Sequence, residues 1–443
     1  MSELAVDLPG AGEVCPSCGA VHGCSLEALE IGTSALERLG ELAAAKSWGR
    51  VVIVADANTD DVLAGRLAAD LASAGHAVER VVFAQRHGLL ADEAAVGRVR
   101  SALSASAAVA AIAVGSGTLN DITRYATFLD KVPYCSVPTA ASMDGYASSV
   151  AAMQFGGVKV TFPAHGPLGI FAETSVLAGA PAEMAIWGLG DLAGKASACF
   201  DWRLSHAVTG EPFCAAIEER VLAPMRACTQ RVAEILAGGP ESLELLLFGL
   251  VQSGVAMAMQ GSSRPASGCE HHASHFWDLL AFRGLRAHSP HGMQVGYATR
   301  FVTRLQAGAL GGLAEPLREV PGRDVAEQVK WLGPGSPELG KVRRQKALAF
   351  GPYAGLWPPA PPVLGEVTGW LSGAVEPFDA VSAALELAGV PDGTGFLGVD
   401  GPMMRATLRF ANRMRSRFTV LDLLESQGRL GQMVGQVVCA AGT

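Results

Sequence analysis

The chain has 443 residues, of which 49% are hydrophobic and 17% charged, and its formal net charge is −8. That apolar share supplies ample core for one large folded unit or two and excludes a disordered chain. The acidic balance argues against general binding to nucleic acid or to anionic membranes.

The opening MSELAVDLPG has no basic n-region and no apolar h-region, so no signal peptide is expected. Cys15, Cys18 and Cys24, with His22 between them, give CPSCGAVHGC. A small zinc knuckle would suit that spacing. Structural zinc usually takes two well-separated ligand pairs, however, so a reduced N-terminal segment is the plainer expectation. Nine cysteines, an odd and scattered count, fit a reducing cytoplasm.

From Ile31 onward strand and helix patterns alternate. RVVIVAD (Arg50 to Asp56) is a continuous apolar run, as expected of a strand covered on both faces. TDDVLAGRLAADLASAG follows with helical periodicity and closes on Gly75, and HAVERVVFA gives the next strand. Then EAAVGRVRSALSAS predicts a helix, AAVAAIAVG a strand, TLNDITRYATFLDK a helix and YCSVPT a further short strand. Repeated βα units predict a doubly wound parallel sheet. No run approaches the ~18 apolar residues that would span a bilayer. From about Pro167 strand signals fade, and AEMAIWGLGDLAGKASACFDWRLSHAV, EPFCAAIEERVLAPMRACTQRVAEILAG and ESLELLLFGLVQSGVAMAMQ all carry helical spacing. The expected organisation is an N-terminal extension over 1–30, an α/β domain over 31–166 and an all-α domain over 167–443.

Two loops follow strands of the expected sheet. GSGTLND (Gly115 to Asp121) opens a helix, where glycines let backbone approach an anion and free N–H groups face it. Taken alone it equally describes an ordinary βα turn. PTAASMDG (Pro138 to Gly145) lies where open α/β sheets bind ligands, and Asp144 suits a substrate hydroxyl.

Half of the 10 histidines fall in one short window: His271, His272, His275, His288 and His291. His271 and His275 share a helix face, and His291 follows a Ser-Pro break. A polar face of solvated histidines is the plain alternative. Two imidazoles leave a divalent ion under-coordinated, because a catalytic zinc takes three protein ligands plus an open position. Asp191 supplies a third donor. It lies in an apolar helix between Gly188, Gly190 and Gly194, where a charge is costly unless it is paired or metal-bound.

Together, GSGTLNDITRYAT, SVPTAASMDGYASS, GLGDLAGKASACFDWRLSH, SRPASGCEHHASHFWD and HGMQVG resemble the sn-glycerol-1-phosphate dehydrogenase family. That family is a branch of the iron-containing alcohol dehydrogenase and dehydroquinate synthase superfamily. The likeness runs from about Ile31 to Gln427. Five blocks in this order are specific where any one is not, and CPSCGAVHG is similar to the bacterial branch.

The resemblance implies that Gly117, Thr118, Leu119, Asn120 and Asp121 hold a cofactor pyrophosphate. Thr139, Ala140, Ala141, Ser142 and Ser148 would complete the dinucleotide site, so that 31–166 binds dinucleotide while 167–443 binds metal and substrate. Asp144 would contact substrate. Asp191, His271 and His291 would bind one divalent metal, zinc before nickel or iron. Asp191 would also face substrate, and His275 would contact it as a proton-relay residue. His272 and His288 match no family role and are expected in solvent or as supporting residues. Asp56, ending the first long strand, would bind the adenosine ribose and repel a 2′-phosphate, favouring NAD(H) over NADP(H). The implied reaction is reduction of dihydroxyacetone phosphate to sn-glycerol 1-phosphate by a cytoplasmic homodimer.

Three departures from the family pattern stand out. Met293 replaces a usual glutamate, AETSVL (Ala172 to Leu177) replaces a more acidic stretch, and no motif fixes the phosphate-binding residues, for which Lys159 and Arg264 are candidates. Two alternatives share the scaffold. One is a dehydrogenase of another small hydroxy or phosphorylated compound. The other is a dehydroquinate-synthase-like cyclase, a branch that tends to place glutamate where this chain has Asp191.

Overall fold

The computed structural model describes residues 13–155, 158–318, 325–333, 342, 345, 346, 350, 352 and 355–441. They divide into two units: one runs to Gly188 and includes Ala233–Ser262, and the other comprises Leu189–Val232 and the chain from Ser263.

The first unit is built on six parallel strands. β1 (Ala28–Gly32), β2 (Arg50–Asp56), β3 (Ala77–Phe83), β4 (Ala110–Val114), β5 (Tyr134–Val137) and β8 (Gly169–Glu173) lie in the order β1-β8-β5-β4-β2-β3. An antiparallel hairpin, β6 (Val150–Phe155) with β7 (Val158–Pro163), precedes β8. The apolar run of β2 is buried throughout Val51–Ala55. Its side chains alternate between two cores: Val51, Ile53 and Ala55 meet Leu39, Leu63 and Leu67, whereas Val52 and Val54 meet Val96, Val99 and Ile122. Helices therefore cover both faces, as the composition of β2 demands. From β2 the chain adds β3 on one side and then returns to add β4 on the other. The strand order thus reverses between β2 and β4, so the crevice where such sheets take ligands opens at Asp56 and Gly115.

β1 begins before the expected boundary at 30/31, and β8 lies past the one at 166/167. β8 sits between β1 and β5, with Gly169 opposite both Ala28 and Cys135. Four consecutive buried residues carry no alternation, so such a short strand gives no periodic signal. Helix Pro240–Gln260 also belongs to this unit. It is long and apolar enough to cross a membrane, contrary to the expectation that no such run exists, yet its most apolar window is 83% buried. It is a core helix, packed so closely on the turn at Gly145–Ala147 that a Cβ on Gly254 would lie 2.9 Å from the Cβ of Ala147.

The second unit is all helical among the described residues, as expected of the C-terminal part. Its core holds Phe200, Trp202, Phe276, Trp277, Tyr297 and Phe301, all fully buried. Arg203 makes a two-pronged ion pair to Glu218, at 2.7 Å on each side. One close approach matters for the site. A Cβ on Gly190 would lie 2.3 Å from the carbonyl oxygen of Gly292, and one on Gly296 would lie 2.8 Å from the Cα of Gly190. Glycine at these positions lets helix Ala182–Thr209 touch the backbone of helix His291–Ala309, and Asp191 and His291 each adjoin this contact.

Candidate active site

In the first unit, β4 is followed by Gly115, whose φ of +154° disfavours any side chain on conformational grounds. A Cβ there would also collide with Leu119 Cδ1 at 2.4 Å. Helix Gly117–Asp130 starts at once, and Ser116 makes no side-chain cap, so the first-turn N–H groups are left for an anion. Asn120 is fully buried; its amide nitrogen points at the carbonyls of Gly145 and Tyr146, each 3.4 Å away, while its Oδ1 has no partner among the described residues.

Arg124, to which the sequence reading assigned nothing, organises this corner. Fully buried, it pairs with Asp121 at 2.6 Å and donates to Tyr134 Oη (2.9 Å), the Val150 carbonyl (2.9 Å) and the carbonyls of Gly145 and Tyr146. The Asp-x-x-Arg spacing in NDITR was the available signal. The loop from Thr139 to Ser142 is pinned from within: Tyr146, its hydroxyl pushed up to about 12 by burial, keeps its proton and donates it to the Ala140 carbonyl at 2.6 Å. Ser148 Oγ accepts from the Val150 N–H at 3.1 Å. Thr139, Ala140, Ala141, Ser142 and Ser148 thus follow β5, whose Val137 is in register with Val114 of β4. Gly188 lies against Ala141, where a Cβ would sit 2.1 Å from its carbonyl oxygen. Asp144, half-buried, precedes the Gly145–Ala147 turn.

Asp56 is half-buried and caps the turn Ala57–Thr59: its Oδ1 accepts the Thr59 N–H at 2.8 Å. A carboxylate has capacity beyond one such bond. The Lys159 side chain lies outside the described residues.

In the second unit, Asp191, His271 and His291 each bring one donor atom to within 4.8 Å of the others. Asp191 is fully buried on helix Ala182–Thr209. His271 stands in the first turn of helix Cys269–Phe282, and His291 opens the next helix. His271 Nε2 and Asp191 Oδ1 are 3.6 Å apart. That is long for a hydrogen bond, but two donors each ~2.1 Å from a tetrahedral ion lie about 3.4 Å apart. The donor set of two imidazoles and one carboxylate suits zinc and is also compatible with nickel or iron.

The surroundings fix the orientation of these donors. Glu270 Oε1 accepts from His271 Nδ1 at 2.8 Å, which leaves Nε2 for the cluster. Glu270 is itself fixed by the Gly268 N–H and by Ser197 Oγ, each at 2.6 Å. His291 Nδ1 meets Ser274 Oγ at 3.2 Å. Lys195, fully buried one turn beyond Asp191, donates to its Oδ1 at 2.8 Å and to the Ala266 carbonyl at 3.1 Å. Burial drives the Asp191 carboxyl upward, but Lys195 and the two histidines outweigh it and hold the group well below the usual carboxylate range. In this unit Lys195 and Glu270 were missed from sequence, although GLGDLAGK carried a signal in its Asp and Lys four apart.

His275 is half-buried, its ring centroid 6.3 Å from that of His291, and it is not one of the three clustered donors. His288 is exposed, as expected. His272 is not in solvent: it is fully buried, and neither ring nitrogen has a hydrogen-bond partner among the described residues. Burial, reinforced by Lys346, Arg417 and other cations, pushes its pKa well below the ordinary value, so it stays neutral. Arg264 is a clamp within the unit rather than an available phosphate binder. It pairs with both oxygens of Glu211 at 2.6 Å and donates to the Phe418 carbonyl at 2.9 Å.

Residues 30–181 match the iron-containing alcohol dehydrogenase family. The glycerol-1-phosphate dehydrogenase [NAD(P)+] of Halalkalibacterium halodurans is 37% identical over 292 residues, 65% of this chain and 73% of that protein. Its counterpart from Geobacillus stearothermophilus is 30% identical over 411 residues, covering 92% of this chain and 94% of the other. Among solved structures, an iron-containing alcohol dehydrogenase from Thermococcus thioreducens superposes with a TM-score of 0.63 at 13% identity, over 94% of this chain and 99% of that one. At that identity the likeness is one of fold.

Proposed function

The chain belongs to the glycerol-1-phosphate dehydrogenase family of the iron-containing alcohol dehydrogenases, and from that premise we propose that it reduces dihydroxyacetone phosphate to sn-glycerol 1-phosphate with NADH. The observation that carries the proposal is the cluster of Asp191, His271 and His291, three donors of the right type with their donor atoms within 4.8 Å of one another. A divalent ion held by these donors, zinc before nickel or iron, supplies a Lewis acid for a carbonyl oxygen.

The protein's own groups do the rest. Glu270 orients His271, and Lys195 keeps the fully buried Asp191 carboxylate ionised. The N–H groups opening helix Gly117–Asp130, with the loop Thr139–Ser142 and Ser148, would cradle the dinucleotide that supplies the hydride. Asp144 holds a substrate hydroxyl. The His275 imidazole delivers the proton to the C2 oxygen as hydride arrives, which balances the reduction of ketone to alcohol. Asp56 accepts hydrogen bonds from the adenosine ribose and sets the preference for NADH. The enzyme is proposed to work in the cytoplasm as a homodimer.

The test is an NADH-oxidation screen over dihydroxyacetone phosphate, dihydroxyacetone and glyceraldehyde 3-phosphate, with chiral analysis of the product. Turnover restricted to dihydroxyacetone phosphate, yielding the sn-1 enantiomer, supports the proposal. Equal turnover of unphosphorylated dihydroxyacetone, or the sn-3 product, overturns it.

A further inference from the structure

The N-terminal turn has no place in the reaction, and its geometry is that of a metal knuckle. Val14 and Val21 form an antiparallel bridge. Between them the backbone closes twice, Cys15 N–H to the Ala20 carbonyl and Gly19 N–H to the Cys15 carbonyl, both at 2.8 Å. Gly19 takes a φ of +74°, which glycine adopts without strain, and so reverses the chain immediately after Cys18. The result places Cys18 Sγ 3.1 Å from His22 Nε2. Donor atoms of Cys15, Cys18 and His22 all lie within 4.8 Å of one another, and Cys24 is not among them. His22 Nδ1 meets the Met259 carbonyl at 2.9 Å, at the end of helix Pro240–Gln260 in the same unit. A backbone carbonyl on the far nitrogen is the usual way of fixing a metal-binding imidazole.

The two valines that bridge the turn bury little apolar surface. Val14 is 64% exposed and Val21 58%, so no apolar face of the hairpin is covered, whereas His22 is 8% exposed. A two-stranded hairpin of this size is marginal by itself in water. We propose that Cys15, Cys18 and His22 bind a structural zinc ion, distinct from the Asp191–His271–His291 cluster, which staples the N-terminal turn to the end of helix Pro240–Gln260. Two thiolates and an imidazole are a zinc donor set, with the fourth position left to one further donor. Binding releases the two thiol protons to solvent, and the ion supplies the folding energy that the exposed valines do not.

Cobalt(II) separates the two sites, because only this one places sulfur on the metal. The full-length protein, stripped and reloaded with cobalt, should show a near-ultraviolet sulfur-to-cobalt charge-transfer band. His271→Ala should lose the catalytic ion and activity but keep the band. The double variant C15S/C18S should lose the band and one equivalent of metal, measured by mass spectrometry, while retaining turnover. Absence of the band in the wild-type protein, or its survival in C15S/C18S, overturns the proposal, as does a Cys15–Cys18 disulfide in the purified protein. Should C15S/C18S fail to fold, zinc release on titrating wild-type thiols with a mercurial reagent decides: release of one equivalent supports the site, and no release rejects it.

Discussion

The nucleotide end of the first unit and the donor cluster of the second solve opposite problems. At Gly115–Asp121 the chain offers backbone: an uncapped helix start, a glycine that no side chain could replace, and one deeply buried arginine holding the neighbouring loop by its carbonyls. At Asp191 it offers ionised side chains in a fully buried setting, each tied to another: Lys195 to Asp191, Glu270 to His271, Ser197 to Glu270. Backbone sites tolerate changes of side chain because the recognising groups survive. A closed set of buried charges does not, because removing one leaves its partner desolvated and unpaired. Substitutions in the two places should therefore differ in scale.

The largest effect is expected for His271→Ala. Losing a ligand should empty the site, and Lewis-acid stabilisation is worth several kcal/mol, so activity should fall by roughly 10³-fold or more. Metal analysis beside steady-state kinetics checks this, and full metal content in the variant would break the assignment. Next is Lys195→Met, which strands the Asp191 carboxylate in the interior. Urea denaturation of the metal-free protein should show a loss of about 3–5 kcal/mol, the cost of breaking a buried ion pair from one side. Adding Asp191→Asn should recover much of it, and an unchanged midpoint for Lys195→Met alone would mean that Asp191 is not ionised.

His275→Asn should retain the metal and lower the turnover number by about 10²-fold, the scale of a lost general acid. Normal turnover would move the proton relay elsewhere. The smallest change is expected from Asp56→Gly. Glycine is tolerated at an N-cap at a cost of only a few tenths of a kcal/mol, so the fold should hold. The preference should still move toward NADPH by on the order of tenfold, the effect of removing one charge near a 2′-phosphate. Indifference of the cofactor ratio to this substitution would show that capping Thr59 is all that Asp56 does.

What the sequence disclosed follows the same division. The turn after β4 is legible because a long apolar strand, a glycine pair and a helical repeat stand next to one another in the chain. Asp191 is legible for a different reason: a carboxylate inside an apolar helix announces its own cost. That it lies beside His271 and His291, rather than beside some other group, depends on the backbone contact at Gly190, Gly292 and Gly296, which no spacing encodes. Lys195 and Glu270 escape notice because charged residues next to functional ones look like solvated neighbours until burial is known. His272 escapes for the converse reason, since a histidine among histidines is taken for one of the polar set although it is buried. β8 and the β6–β7 hairpin are no shorter than β4 or β5, but they lack the long helical repeat that marks a βα unit: β6 runs straight into β7, and only the five-residue helix Thr174–Ala178 follows β8.

One further carboxylate ties remote parts of the second unit together in time as well as in space. Asp201 is fully buried, its pKa raised to about 6 by burial and by the nearby Glu270. It accepts the Cys269 N–H at 2.8 Å and the Val420 N–H at 2.9 Å, the first residues of two helices. The helix that carries His271 is thus anchored by a side chain made long before it, and the same anchor holds a segment made about 150 residues after it. At about 5–20 residues per second of synthesis, roughly 8–30 s separate the two events on the ribosome. A nascent chain stopped before residue 420 has all three metal donors and the Cys269 N–H bond to Asp201, but the second oxygen of that buried carboxylate lacks the partner that Val420 supplies. Truncation before residue 420 therefore leaves one oxygen of a buried carboxylate unpaired, and a chain so shortened should unfold at a lower urea concentration than the full chain.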